Sequence, residues 1–251
     1  MIIIDGLEGG GQILRTALGL SLLTNKPFKI INIRKSRPKP GLKTQHLACI
    51  DVLKKISNAK VENAYLGSQE ITFQPGKVSS SKIKVRVDTA GSTALILQSL
   101  LIAGINNDIK LTIKGGATFG KWAPPITYLE NILIPLLNKM DYNPVIKTLK
   151  HGFYPKGGAL IQAITKPSII KPINITEKGK ILVINGISIA ESSLRSRKVA
   201  ERQANHALIL LKDKFKIQAK IKVEYVKADN PGSCLQLWII TENSIIGCDS
   251  L

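Results

Sequence analysis

Cysteine is scarce in this chain: Cys49, Cys234 and Cys248 are scattered through 251 residues. An odd number with no Cys-x-x-Cys spacing argues against a disulfide framework and a cysteine-held zinc, and fits a reducing compartment. Histidine is equally scarce. His46, His151 and His206 each lack a second histidine or a carboxylate at metal-ligand spacing, so each is expected to be structural. No Ser-His-Asp order and no nucleophile elbow can be drawn. Long apolar runs are missing too. The longest, Leu95 to Ile105, is interrupted by Gln98, Ser99 and Gly104 and is too short to span a bilayer. The start, Met-Ile-Ile-Ile-Asp, has no basic segment of the kind that opens a signal peptide. The expectation is a cytoplasmic protein with no membrane partner.

Negative charge is also in short supply. Seventeen acidic residues face 36 basic ones, a formal charge of +19. Most of the basic residues are lysine, a bias that AT-rich coding alone produces. The seven arginines are more informative. Arg15, Arg34 and Arg37 fall around the first turns of the chain, and Arg195, Arg197 and Arg202 begin a later helix. Guanidinium groups offer a bidentate fork to phosphate, and neutralised phosphates release counterions. Nucleic acid or nucleotide is the expected partner.

The densest signal is Glu8-Gly9-Gly10-Gly11-Gln12-Ile13-Leu14-Arg15. Ile2-Ile3-Ile4 before it reads as a buried strand, and Ile13, Leu14, Ala17, Leu18 and Leu22 after it keep helical spacing. Three glycines at a strand-to-helix joint let the backbone approach a ligand, and the new helix presents unpaired N–H groups to an anion. Glu8 adds a carboxylate beside that pole. A ligand-free joint, with Glu8 simply complementing the helix dipole, is the plain alternative. Neither a Walker loop nor a dinucleotide fingerprint is present.

The order of elements repeats after about 83 residues. Strand, small-residue turn, helix, strand, Pro/Gly loop, helix and two strands run through residues 1–82, closed by Gln74-Pro75-Gly76 and a serine run, and again through 83–172. Asp5 pairs with Asp88, and Arg15 with Gln98. Gln98 is expected half-buried, offering its amide to an adenine edge or a backbone cap. Pro135 is expected to kink the helix of 126–140. Residues 173–251 read differently: two short strands (181–184 and 187–189), a basic helix over 194–214, a strand over 217–226, the turn Asp229-Asn230-Pro231-Gly232, and strands at 234–240 and 245–248. The fold class is α+β: repeated β-α-β-α-β-β units with four-stranded sheets and paired helices in 1–172, followed in 173–251 by a small βαββ domain and an incomplete third unit.

Several spaced motifs together resemble the RNA 3'-terminal phosphate cyclases. They are Asp5-Gly6 with Glu8 to Arg15, Ile33-Arg34 with Arg37-Pro38-Lys39-Pro40-Gly41-Leu42-Lys43-Thr44-Gln45-His46-Leu47, Leu66-Gly67-Ser68-Gln69, Ala90-Gly91-Ser92 with Gln98, Trp122-Ala123-Pro124-Pro125, His151 to Gly158, and Gly247 to Leu251. The resemblance implies a thioredoxin-like character for the small domain, inserted into a third repeat. It implies an ATP-dependent ligase of the AMP- and diphosphate-forming class. An enzyme histidine takes AMP, passes it to an RNA 3'-phosphate, and the 2'-hydroxyl displaces AMP to leave a 2',3'-cyclic phosphate. By motif, Glu8 would hold a divalent metal (Mg or Mn), Arg15 would support catalysis, Arg34, Arg37, Gln45 and His46 would bind RNA phosphate, and Gln98 and Pro124 would line the ATP pocket.

Departures from the family pattern carry expectations of their own. The link between Asp5 and Glu8 is short by two residues, Thr127 stands where an aspartate is usual, and Ala117 where a threonine is usual. The family's nucleophilic histidine lies in sequence beyond residue 251, and none of His46, His151 or His206 matches its motif. A shortened chain is therefore expected to be impaired, and an uncovered sheet face is expected to aggregate or to pair two copies as a homodimer. Two other readings stand beside this one: a non-catalytic RNA-binding relative in RNA processing or ribosome biogenesis, and an enolpyruvate-transferase-like enzyme built from similar units.

Overall fold

The computed structural model describes residues 1–78, 82–216 and 218–251. The serine run at 79–81 and Ile217, read above as the start of a strand, lie outside the described residues.

The first unit runs β1 (Ile2–Asp5), α1 (Gly11–Thr24), β2 (Phe28–Ile31), α2 (Thr44–Ser57), β3 (Lys60–Glu62) and β4 (Ile71–Gln74). The second runs β5 (Lys82–Ser92), α3 (Thr93–Ala103), β6 (Ile109–Ala117), the short helices α4 (Ile126–Tyr128) and α5 (Ile134–Asn138), β7 (Val145–Lys150) and β8 (Leu160–Thr165). Their sheets have the same plan. The orders are β1-β2-β4-β3 and β5-β6-β8-β7, with the first pair parallel and the others antiparallel. The repeat expected from the spacing of Asp5 and Asp88 is thus a repeat of topology. A third four-stranded sheet contains β9 (Ile181–Glu191), β10 (Ala219–Val226), β11 (Ser233–Thr241) and β12 (Ile245–Ser250), with α6 (Val199–Phe215) packed on it. The chain is α+β with three four-stranded mixed sheets.

The helices of the two units share one core. α1 packs on α2 and on α3, and α2 also packs on α3. The α1–α3 crossing is close because Gly19 has no side chain: a Cβ there would lie 2.9 Å from the Ser99 carbonyl oxygen and 2.8 Å from Ile102 Cβ. Leu14, Leu18, Leu53, Ile56, Leu97 and Leu100 are buried along these faces. α1 and α2 both stop on an asparagine in the left-handed region, Asn25 and Asn58, one of the few non-glycine residues that tolerate it.

Four local expectations need correction. Ile2-Ile3-Ile4, read as a buried strand, lie at a sheet edge with Ile2 and Ile3 exposed. The two short strands read at 181–184 and 187–189 are one strand. Gly186 between them is a packing site, where a Cβ would meet Leu237 Cδ2 at 2.5 Å. The basic helix begins at Val199 instead of Leu194, because Lys198 turns left-handed (φ 49°) after a single 3-10 turn at Ser192–Leu194. The apolar pattern after α1 extends the second strand of the first unit over Phe28–Arg34, but it ends at Ile31, because Asn32 and Arg34 both have φ of 53°. The irregularity expected at Pro135 takes the form of a π turn, Leu129–Leu133, between α4 and α5. Proline cannot donate to the helical ladder, and the wider turn redistributes the bonds ahead of it.

Candidate functional site

The joint between β1 and α1 is tied down on both sides. Asp5 Oδ1 accepts from the Leu7 N–H (3.0 Å) and from Asn32 Nδ2 (3.2 Å). The Arg34 N–H donates to the Gly6 carbonyl at 3.2 Å. The short link between Asp5 and Glu8 is therefore a closed turn braced against the loop after β2. Gly10 caps α1 with no side-chain bond, and no acidic residue sits in the first turn. Among the described residues, no side chain caps the positive pole of this 14-residue helix.

Basic groups converge on that pole. A Cβ on Gly11 would lie 2.1 Å from His46 Nε2 and 3.0 Å from Arg15 Nη1, and one on Gly10 would lie 4.0 Å from Arg37 Nη2. His46 also feels the charges of Arg34, Arg15 and Lys43. Arg34 is aimed by its own loop: Nη1 donates to the carbonyls of Lys39 (3.0 Å) and Gly41 (3.1 Å). The Leu66–Gln69 motif buttresses this loop from behind. Leu42 N–H donates to Ser68 O, Gly67 N–H to Leu42 O, and Ile33 N–H to Gln69 O. The motif's role is structural, and nothing in its own residues signalled it.

The electrostatics of the cluster are one-sided. Among the described residues, none of Arg15, Arg34, Arg37 or Lys43 forms an ion pair with a carboxylate. Arg15 Nε is buried with no hydrogen-bond partner, and burial lowers the guanidinium from its ordinary pKa. His46 is 2% exposed, and burial, then Arg34, Arg15 and Lys43, push its pKa down to about 4. The ring is neutral near pH 7. Its Nδ1 accepts the Lys43 N–H at 3.0 Å, so the proton sits on Nε2, which faces Gly11. A buried donor without an acceptor is costly. An anion beside Gly10 and Gly11 would meet the helix pole, Arg15 Nη1 and His46 Nε2–H together.

Gln45 and His46 are sequence neighbours but face different places. Gln45 is exposed and lies beside Gly91, where a Cβ would be 3.8 Å from the Gln45 Cβ. It lines a cavity of about 630 Å³ with Ser92, Phe119, Lys121, Ala123 and Tyr154. Pro124 is half-buried directly after Ala123, and Gln98 is half-buried on α3. Beneath the cavity, Phe119 stacks on Phe153 at 5.1 Å and on His151 at 5.2 Å. The glycines of the His151–Gly158 motif allow backbone to pack on backbone, since a Cβ on Gly152 or Gly157 would lie 2.6 or 2.5 Å from the Gly116 carbonyl oxygen.

The remaining candidates are less engaged. Glu8 is exposed beside the glycines. Among the described residues no three His, Cys, Asp or Glu side chains are grouped to hold a metal. A lone carboxylate suits a hard divalent cation whose other ligands are phosphate oxygens and water. His151 Nδ1 lies 3.2 Å from Thr118 Oγ1, and His206 is exposed on α6. Arg195 stacks over Tyr225 at 4.4 Å. Thr127 is buried with Oγ1 unpartnered. All three cysteines are free thiols. No helix among the described residues is long and apolar enough to cross a membrane.

Comparison with known proteins follows the same lines. A family model described as RNA 3'-terminal phosphate cyclase matches residues 6–238. The chain is 45% identical to the RNA 3'-terminal phosphate cyclase of Pyrococcus furiosus, an alignment that covers 100% of this chain and 74% of that protein. It is 44% identical to the protein of the same name from Caldivirga maquilingensis, over 100% of this chain and 73% of that one. For the Archaeoglobus fulgidus protein of that name the figures are 41%, 95% and 72%.

Proposed function

Because the chain belongs to the RNA 3'-terminal phosphate cyclase family, we propose that its glycine–arginine cradle grips the 3'-phosphate of an RNA strand for ATP-dependent closure to a 2',3'-cyclic ester, in the cytoplasm. The observation that carries this reading is that Arg15 Nη1 and the Nε2–H of a neutral His46 converge on Gly11 at the uncapped start of α1. Donors of different origin face one point, and a terminal phosphate has the oxygens to meet them.

In the closure, the 3'-phosphate is first activated by AMP from ATP, with release of diphosphate. The 2'-oxygen then attacks phosphorus. A new P–O bond forms as the bond to AMP breaks, AMP leaves with the electron pair, and the hydroxyl proton passes to solvent. This chain's residues would act by position and charge. Arg15, Arg34 and Arg37 offset the charge that gathers on the phosphoryl oxygens. His46 donates one hydrogen bond without adding charge. The 630 Å³ cavity lined by Gln45, Ser92, Phe119 and Tyr154 has the size of a nucleotide site, although neither Pro124 nor Gln98 is among its lining residues. A divalent cation on Glu8 would neutralise phosphate charge.

None of the three histidines is set up as a nucleophile. His46 carries its free-side proton on Nε2, His151 is stacked and bonded to Thr118, and His206 stands on α6. We therefore infer that these 251 residues do not form a histidine–AMP adduct. The same observation favours a second reading, a non-catalytic RNA-binding relative. Binding of RNA with and without a 3'-phosphate tests the cradle. A preference of about tenfold or more for the phosphorylated end is expected, and Arg37→Ala should erase it. A preference that survives Arg37→Ala refutes the role of that loop. Incubation with labelled ATP and Mg is expected to leave the protein unlabelled, and a stable adduct would overturn that part.

A further inference from the structure

The loop after β6 holds a side chain that the fold does not use. Trp122 is 99% exposed, and its backbone takes φ of 65°. A tryptophan in water forgoes burial of the largest apolar side chain, and a bulky residue in the left-handed region is strained. Both costs fall on one residue, and both hold the ring away from the core.

Its surroundings say what could meet it. Lys121 and Ala123, on either side, line the 630 Å³ cavity, as do Gln45 and Tyr154. Tyr154 is itself 78% exposed. Lys121 and Lys156 are exposed beside the two rings. The cavity mouth thus has two uncovered aromatic rings interleaved with ammonium groups, and its inner wall at Gln45 is one residue from His46 of the cradle.

We propose that Trp122 and Tyr154 form a stacking platform for unpaired bases of the RNA just upstream of its 3' end. This rests on the reading that the cradle holds the terminal phosphate. The occupant is a polymer and not a free nucleotide for a geometric reason. A mononucleotide inside the cavity meets the residues that line it, and Trp122 is not one of them. A strand that runs across the mouth, outside the nucleotide site, brings a base to an outward ring. The strand is single, because paired bases are already stacked. Any base serves, since each has a π face, and the lysines take the backbone phosphates.

The sequence contains two tryptophans, so in a Trp238→Phe background the emission belongs to Trp122 alone. A 3'-phosphorylated oligouridylate of about ten nucleotides is expected to quench that emission on binding. Trp122→Ala should weaken binding about fivefold or more, in line with the loss of one base–aromatic stack, and Trp122→Phe should restore most of it. An abasic ribose-phosphate oligomer with the same 3'-phosphate should bind Trp122→Ala and the parent equally. Unquenched emission with undiminished affinity in Trp122→Ala overturns the platform. So does quenching by ATP alone with none by RNA. Binding that depends on Trp122 but ignores the 3'-phosphate upholds the platform and overturns the cradle. No RNA binding by any variant overturns both.

Discussion

The backbone N–H of Lys43 donates to Nδ1 of His46 at 3.0 Å, and this bond sets the tautomer of the only buried histidine in the cradle. The first turn of α2 positions the ring, and the ring presents Nε2–H to Gly11. Capping of one helix thereby supplies a donor at the pole of another.

His46 should make stability depend on pH. Its pKa falls from 6.5 to about 4 on folding, through burial and then the neighbouring Arg34, Arg15 and Lys43. Between these values the unfolded chain binds the extra proton, so stability rises with pH across that window. The contribution is complete above 6.5 and is lost as pH falls toward about 4, on the order of 3 kcal/mol in all. Urea unfolding across this range should show the decline, and His46→Gln should flatten it. Inorganic phosphate in the cradle should raise the His46 pKa, read as a shift in its ring-proton NMR titration, because an anion offsets the guanidinium charges.

The repeat was legible because it is written in spacing. Asp5 and Asp88 mark two strands whose sheets have the same order and the same pairing senses. Glycines and arginines crowd two short motifs of the sequence, and the folded chain brings Arg15, Arg37 and His46 to Gly10 and Gly11, with Arg34 near enough to His46 to act on its charge. What could not be read was set by tertiary contact. Gly186 looked like a break between strands, although it is a site of close packing under Leu237. The left-handed turn at Lys198 has no signal in a lysine. Gln45 and His46 seemed one unit, but neighbours on a helix are about 100° apart, enough to send one to the cavity and the other to the cradle. The exposure of Trp122 was not legible either, since Trp122-Ala123-Pro124-Pro125 marks a loop without saying which way its side chains face.

The glycines should differ in their tolerance of a methyl group. Gly11→Ala places a Cβ 2.1 Å from His46 Nε2 and 3.0 Å from Arg15 Nη1, so both donors must move. Gly10→Ala meets only Arg37 Nη2 at 4.0 Å. Affinity for 3'-phosphorylated RNA should fall about tenfold or more in Gly11→Ala, the cost of displacing one or two charge-assisted bonds. Gly10→Ala should lose clearly less. Equal losses in titrations of the two variants would mean that the positions of His46 and Arg15 do not matter.

Gly41 should couple stability to the site. Its φ is +75°, and a Cβ there would lie 2.1 Å from the Gly67 carbonyl oxygen, a backbone atom that cannot swing aside. The Gly41 N–H donates to Ile33 O at 2.9 Å, and its carbonyl accepts from Arg34 Nη1 at 3.1 Å. Gly41→Ala must therefore both strain the loop and loosen the arginine that the loop aims. A loss of about 2–4 kcal/mol in urea unfolding is expected, with weakened 3'-phosphate preference in the fraction that remains folded. Arg34→Lys separates the two effects. It keeps a positive charge but loses the guanidinium nitrogens that the two loop carbonyls, both bonded by Nη1, leave free for phosphate, so it should weaken phosphate preference while leaving the unfolding midpoint nearly unchanged. If Arg34→Lys destabilises the chain as much as Gly41→Ala does, the fork is a strut for the loop and the phosphate must be held by Arg15, Arg37 and His46.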